Sequence, residues 1–246
     1  MEVEDLGHHI SRRFNEDLEH VRNSVLAMGG LVEEQFDRAI RALSDADSEL
    51  GLQVAEDDIK VNRMEVSIDE ECSRILATRA PTAGDLRLVI ATLKTITDLE
   101  RIGDEAEKIG VLAARLASVE RPSTNYRELR NLARHVKQMV HNALNAFARL
   151  DTKAALEVVK ADDAVDEEYE SIYRQGITFM MEDPRTISRI MDSTWMARAL
   201  ERIGDHAKNI GEYVIFLVHG KDVRYTGVKN MEAEVEQGVR RQETRS

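Results

Sequence analysis

Leu99-Glu100-Arg101-Ile102-Gly103-Asp104 recurs without a change as Leu200-Glu201-Arg202-Ile203-Gly204-Asp205, 101 residues further along a chain of 246. Extended to Gly110 and Gly211, the two stretches share nine of twelve residues, because Ala106, Ile109 and Gly110 are matched by Ala207, Ile210 and Gly211. A separation near 100 residues exceeds the ~20–50-residue periods of solenoids and propellers, so the chain reads as two copies of one domain-sized unit.

Outward from the repeat, apolar residues step by threes and fours. Phe14, Leu18, Val21, Val25, Met28, Val32, Phe36, Ile40 and Leu43 mark a first long helix. Val54, Val61, Met64, Ile68, Cys72 and Ile75 mark a second, and Pro81 with Gly84 ends it before a third from about Leu86 to Leu116. After Pro122 the cycle restarts: Leu129 to Leu150 is a fourth helix, Val158 to Met180 a fifth, and about Ile187 to Val218 a sixth, entered through Asp183-Pro184. All three prolines fall between helices, where a missing amide and a fixed φ do least harm. Six long helices on short connections must fold back on one another, which predicts an all-α protein of two tandem three-helix bundles. The expected units are residues 12–120 and 121–219, followed by a charged tail, 220–246, for which a strap helix and a disordered segment both stay open.

Composition narrows the function. Aromatic residues make up only 4% of the chain, which favours helix over sheet. A net charge of −12 repels phosphate backbones, and no segment interleaves basic with aromatic residues, so nucleic acid is not an expected partner. No apolar run is long enough to cross a membrane and Met1 to Ile10 has no signal-peptide core, so neither membrane insertion nor export is expected. The single cysteine, Cys72, reads as a small buried hydrophobe in a reducing compartment.

With 46 acidic residues, a lone Glu-x-x-x-Asp pair carries little information, and its repetition carries much more. Like charges four apart cost a helix a few tenths of a kcal/mol. Gly103 and Gly204 each cost about 1 kcal/mol relative to alanine, yet both halves keep both features. A cation between Glu and Asp would offset the first penalty, and close approach of a neighbouring helix would account for the second. A facing set comes from the second helix of each half when Asp58 and Asn62 are laid on Asp162 and Asp166. The second half then gathers Asp162, Asp166, Glu201 and Asp205, and the first gathers Asp58, Asn62, Glu100 and Asp104. Oxygen-only sets suit hard cations such as Mg²⁺, Ca²⁺, Mn²⁺ or ferric iron. With an amide at Asn62, the first set is expected to bind more weakly. The bland alternative is that these acids pair with Arg101, Arg202, Lys60 and other bases on a solvated face, and that His206 is a surface histidine.

Pro81-Thr82-Ala83-Gly84-Asp85-Leu86-Arg87-Leu88, followed by Thr97-Asp98-Leu99-Glu100-Arg101-Ile102-Gly103-Asp104, closely resembles the pattern of the PhoU family, accessory proteins of the phosphate-specific transport system. The second copy fits that family's internal duplication, and the resemblance runs from about Arg12 to His219. It implies two three-helix bundles, a cytoplasmic and often homodimeric protein, and metal held by paired Glu/Asp-x-x-x-Asp motifs, as a divalent or ferric ion (Mg, Mn, Fe or Zn). It also implies negative regulation of phosphate uptake and of the phosphate-starvation two-component response, through the transporter's ATP-binding subunit and the phosphate-sensing histidine kinase. Asn62 departs from the family's acidic pattern. A di-iron oxidase would need Glu-x-x-His in two helices, and no histidine here has Glu three positions before it. No phosphate-cradling Gly-x-x-x-x-Gly-Lys motif and no activated nucleophile is present either, so a non-enzymatic role is expected, with a metal-buffering protein as the other reading.

Overall fold

Each half of the chain folds its helices back on one another in a computed structural model that describes residues 3–79, 81–118, 126–224 and 226–243, with side chains from residue 14 to 237. Pro122 and the expected boundary at 120/121 lie outside the described residues. The first bundle comprises α1 (Val3–Asp45), α2 (Ser48–Asp57), α3 (Ile59–Thr78) and α4 (Ala83–Ala117). The second comprises α5 (Arg127–Arg149), α6 (Thr152–Glu182) and α7 (Ile187–His219), with a 3₁₀ turn at Pro184–Thr186 leading into α7. No strand occurs among the described residues.

The duplication extends to the turns. Ala46 and Leu150 both adopt positive φ, 59° and 54°, and each is followed by an aspartate that caps the next helix. Asp47 accepts from the Leu50 amide at 2.9 Å, and Asp151 from the Lys153 and Ala154 amides at 3.0 Å each, pairing helix-start donors that would otherwise stay unbonded.

The motif helices α4 and α7 lie at the centre. Each packs on the other helices of its own bundle, and they pack on each other. Gly110 and Gly211 let the second helix of each half come close: a Cβ on Gly110 would lie 2.7 Å from the Gly51 carbonyl oxygen, and one on Gly211 2.9 Å from that of Ala155. The seam between bundles is polar as well as apolar. Asp98 of α4 accepts from Asn209 at 3.0 Å and pairs with His206 at 2.7 Å, and Arg202 of α7 reaches buried Glu105 at 2.8 Å.

One expectation changes and one left open is decided. The second helix is divided at Asp58, where the amides of Val61 and Asn62 both bond back to the Asp58 carbonyl and tighten the turn, whereas α6 passes Asp162 unbroken. The tail forms a strap helix, α8 (Val228–Glu243), which buries Met231 and Val235 and fixes itself through Glu232 to Lys160 at 2.8 Å. Cys72 is fully buried, and its thiol is pushed up to about 12, chiefly by burial.

Candidate functional site

The offset pairing of the second helices with the motif helices is realised in space. A Cβ on Gly103 would stand 3.0 Å from Asp58 Oδ1 and 3.2 Å from Val61 Cγ1. One on Gly204 would stand 3.8 Å from Asp162 Oδ1 and 3.2 Å from Val165 Cγ1. The glycine in each motif therefore admits an aspartate from the facing helix, and that aspartate is buried: Asp58 is 5% exposed and Asp162 1%.

In the first half, Asp58 receives two amides, Gln35 Nε2 at 2.9 Å and Asn62 Nδ2 at 3.0 Å. Asn62 is thus a donor to the aspartate, which is how an amide serves where the other half has a carboxylate. Among the described residues, one oxygen each of Asp58, Asp104 and Glu107 come within 4.8 Å of one another, close enough to converge on one cation. Glu100 is not part of that triad and lies beside Arg101 at 3.4 Å, while Arg101 also reaches Asp104 at 3.2 Å. The carboxyl of Glu100 is raised by burial and then by Asp104, and that of Glu107 by burial and then by Asp58 and Asp104. A cation would relieve both.

In the second half, Asp162, Asp166, Glu201 and Asp205 share one field. Burial, then Asp162 and Asp205, raises Asp166; burial, then Asp162, raises Asp205. Burial and then Asp205 push Glu201 up to about 7. Two bases enter this set. Lys208 bonds Asp162 Oδ2 at 2.5 Å, and Arg198 bonds Glu201 Oε1 at 2.6 Å. Burial disfavours the Lys208 charge, but the Asp162 hydrogen bond and the nearby Asp205 and Glu212 outweigh it and keep its affinity for a proton above the ordinary value. Asp162 Oδ1 and Glu201 Oε2 remain buried without a hydrogen-bond partner, two acceptors of the kind a cation satisfies.

Sequence reasoning missed Glu107, Gln35, Lys208 and Arg198. Glu107 had a signal: Glu100, Asp104 and Glu107 step by four and three on one helix face. Its counterpart in the repeat is Lys208, a carboxylate exchanged for an ammonium where the identity between halves has lapsed. Of the bases named as neutralising partners, Lys60 instead binds Asp57 at 2.6 Å and Arg202 binds Glu105, while Arg101 meets Asp104 and two further bases, Lys208 and Arg198, hold Asp162 and Glu201. His206 is half-buried in the seam, 2.7 Å from Asp98.

The PhoU domain model matches residues 25–113 and again 129–214, one copy for each bundle. The chain is 53% identical over 233 residues to the phosphate-specific transport system accessory protein PhoU homolog of Pseudomonas putida, covering 95% of this chain and 91% of that one. It is equally similar to the homolog of the same name from Pseudomonas aeruginosa, at 53% over 95% and 96%. The crystal structure of PhoU from P. aeruginosa superposes with a TM-score of 0.82, covering 85% of this chain and all of that one. Two copies of the domain, relatives of near-equal length and a shared three-dimensional arrangement lead to one assignment: the chain belongs to the PhoU family.

Proposed function

We propose that the protein is a negative regulator of phosphate uptake and of the phosphate-starvation two-component response. In this reading it is a cytoplasmic homodimer that acts by contact with the transporter's ATP-binding subunit and with the phosphate-sensing kinase, without catalysis of its own. The observation that carries the reading is 53% identity, over nearly the whole chain, to relatives named as accessory proteins of phosphate-specific transport. No described helix is long and apolar enough to cross a membrane, which suits a protein that meets its transporter from outside the bilayer.

The acidic motifs are read as cation sites. Asp58, Asp104 and Glu107 would hold a divalent or ferric ion in the first half, and Asp162, Asp166, Glu201 and Asp205 in the second. The ion would supply charge neutralisation between helices. Against the expectation drawn from Asn62, the donor sets support ranking the first site above the second, because Lys208 and Arg198 already hold Asp162 and Glu201, whereas among the described residues Arg101 alone meets the first cluster, to which Glu107 adds an anion.

A strain lacking the protein, carrying a reporter on a starvation-induced promoter and grown in abundant phosphate, tests the reading. Expression should rise in the deletion strain and fall again on complementation with the wild-type chain. Asp58→Ala with Asp104→Ala should restore repression only in part. Unaltered repression in the deletion strain refutes the regulator.

A further inference from the structure

Between α4 and α7, on the outside of the seam, runs an open groove of about 510 Å³. Its floor includes Leu112, and one wall is Trp195, the chain's sole tryptophan, 59% exposed. Tryptophan and arginine are both enriched among the residues that carry most of the binding energy of protein interfaces. Trp195 also does not stand alone: Ile187, Met191 and Trp195, at 45%, 38% and 59% exposure, form a stripe at four-residue spacing along α7. Eight residues of helix extend that stripe over about 12 Å.

The charge of the groove departs from that of the molecule. Its rim carries Lys108, Arg115, Arg198 and Arg202 against Glu105 and Glu107, on a chain whose net charge is −12. Glu105 is almost wholly buried beneath Lys108 and Arg202, and Glu201 holds Arg198 at 2.6 Å, so the most loosely paired cation of the groove is Arg115. Arg115, with 65% of its side chain exposed, meets Asp192 at 3.9 Å, its one ion pair among the described residues. A small anion could meet the arginines but would leave the apolar stripe uncovered. An amphipathic helix would use both, with apolar side chains on the stripe and carboxylates toward the rim.

We propose that the α4–α7 groove is the docking surface for an acidic amphipathic helix of a partner protein, with Trp195 as its apolar anchor and Arg115 as its principal charge contact. The proposal rests on the reading of the protein as a regulator that acts by contact. The test labels the full chain with 5-fluorotryptophan, which places one ¹⁹F reporter in the groove, and titrates it separately with the purified ATP-binding subunit and with the cytoplasmic portion of the kinase.

The expected result is a shift of that resonance on binding one of them. Arg115→Glu and Trp195→Ala should each weaken that complex tenfold or more while melting like wild type, and a control reversal at exposed Lys153, Lys153→Glu, should leave it within twofold. A complex that forms with neither a resonance shift nor sensitivity to Arg115→Glu overturns the groove and leaves the regulator standing. No complex with either protein overturns both. A shift that follows protein concentration alone, with a dimer in sedimentation, makes a second copy the occupant and overturns the proposal. So does a saturable shift with inorganic phosphate or ATP alone.

Discussion

Lys208→Met removes the ammonium beside an aspartate that is 1% exposed and whose other oxygen already has no hydrogen-bond partner. Breaking a buried ion pair from one side costs about 3–5 kcal/mol, because the remaining charge is stranded. One feature places this case near the lower end. Lys208 is itself one-third exposed, so water can enter where it leaves. The expected loss is therefore about 3 kcal/mol at pH 7 in chelator, or a melting temperature lower by roughly 6–12 °C for a chain of this size. Mn²⁺ should raise the melting temperature of the variant more than that of wild type, because a cation then has a vacated charge to replace. Melts by circular dichroism at pH 7, in EDTA and in Mn²⁺, read both. A variant within 1 °C of wild type in EDTA, or one that gains no more from Mn²⁺ than wild type does, would show that the lysine acts through its stem and not its charge.

Gly110→Ala should destabilise by about 1–3 kcal/mol, since its Cβ meets a backbone carbonyl that can move only with the whole of α2, and the gain in helix propensity offsets only ~1 kcal/mol; the matched Gly30→Ala, with open space around it, should stabilise by up to about 1 kcal/mol in the same urea titration. Glu201 is held near 7 in the fold and near 4.5 unfolded, so the folded state binds the extra proton between those values. Its contribution to stability is complete below pH 4.5 and lost as pH rises through 7, and Glu201→Gln should flatten urea-derived stability across that window, while an unchanged slope would place the titration elsewhere.

The bundles were legible because apolar spacing is a long-range signal, repeated at Val21, Val25, Met28 and Val32 and again at Val136, Val140 and Ala143. The glycines were legible too, since Gly103 and Gly204 had no reason to persist inside helices unless something came close, and aspartates do. The turn at Ala46 and Leu150 was not, because neither residue favours positive φ and only the following aspartate hints at the geometry. The division at Asp58 escaped notice because the apolar stripe runs across it unbroken. Lys208 was passed over for a different reason: a motif defined by identity ends where the halves diverge, and Glu107 with Lys208 is where they diverge. The strap helix rests on Val228, Met231 and Val235, whose spacing in a charged tail beside Gly227 and Gly238 is too short a signal to choose helix over disorder.

Glu107 belongs at once to the Asp58–Asp104 cluster and to the wall of the α4–α7 groove. If both bind as proposed, the shared carboxylate makes the cation site and the groove thermodynamic conjugates. A cation that neutralises Glu107 removes a repulsion felt by an acidic partner, and reciprocity requires the seated partner to change the cation's affinity by the same factor. The partner's surface would then be part of the cation site's equilibrium, and the cation concentration at half-saturation would report how much of the protein is engaged.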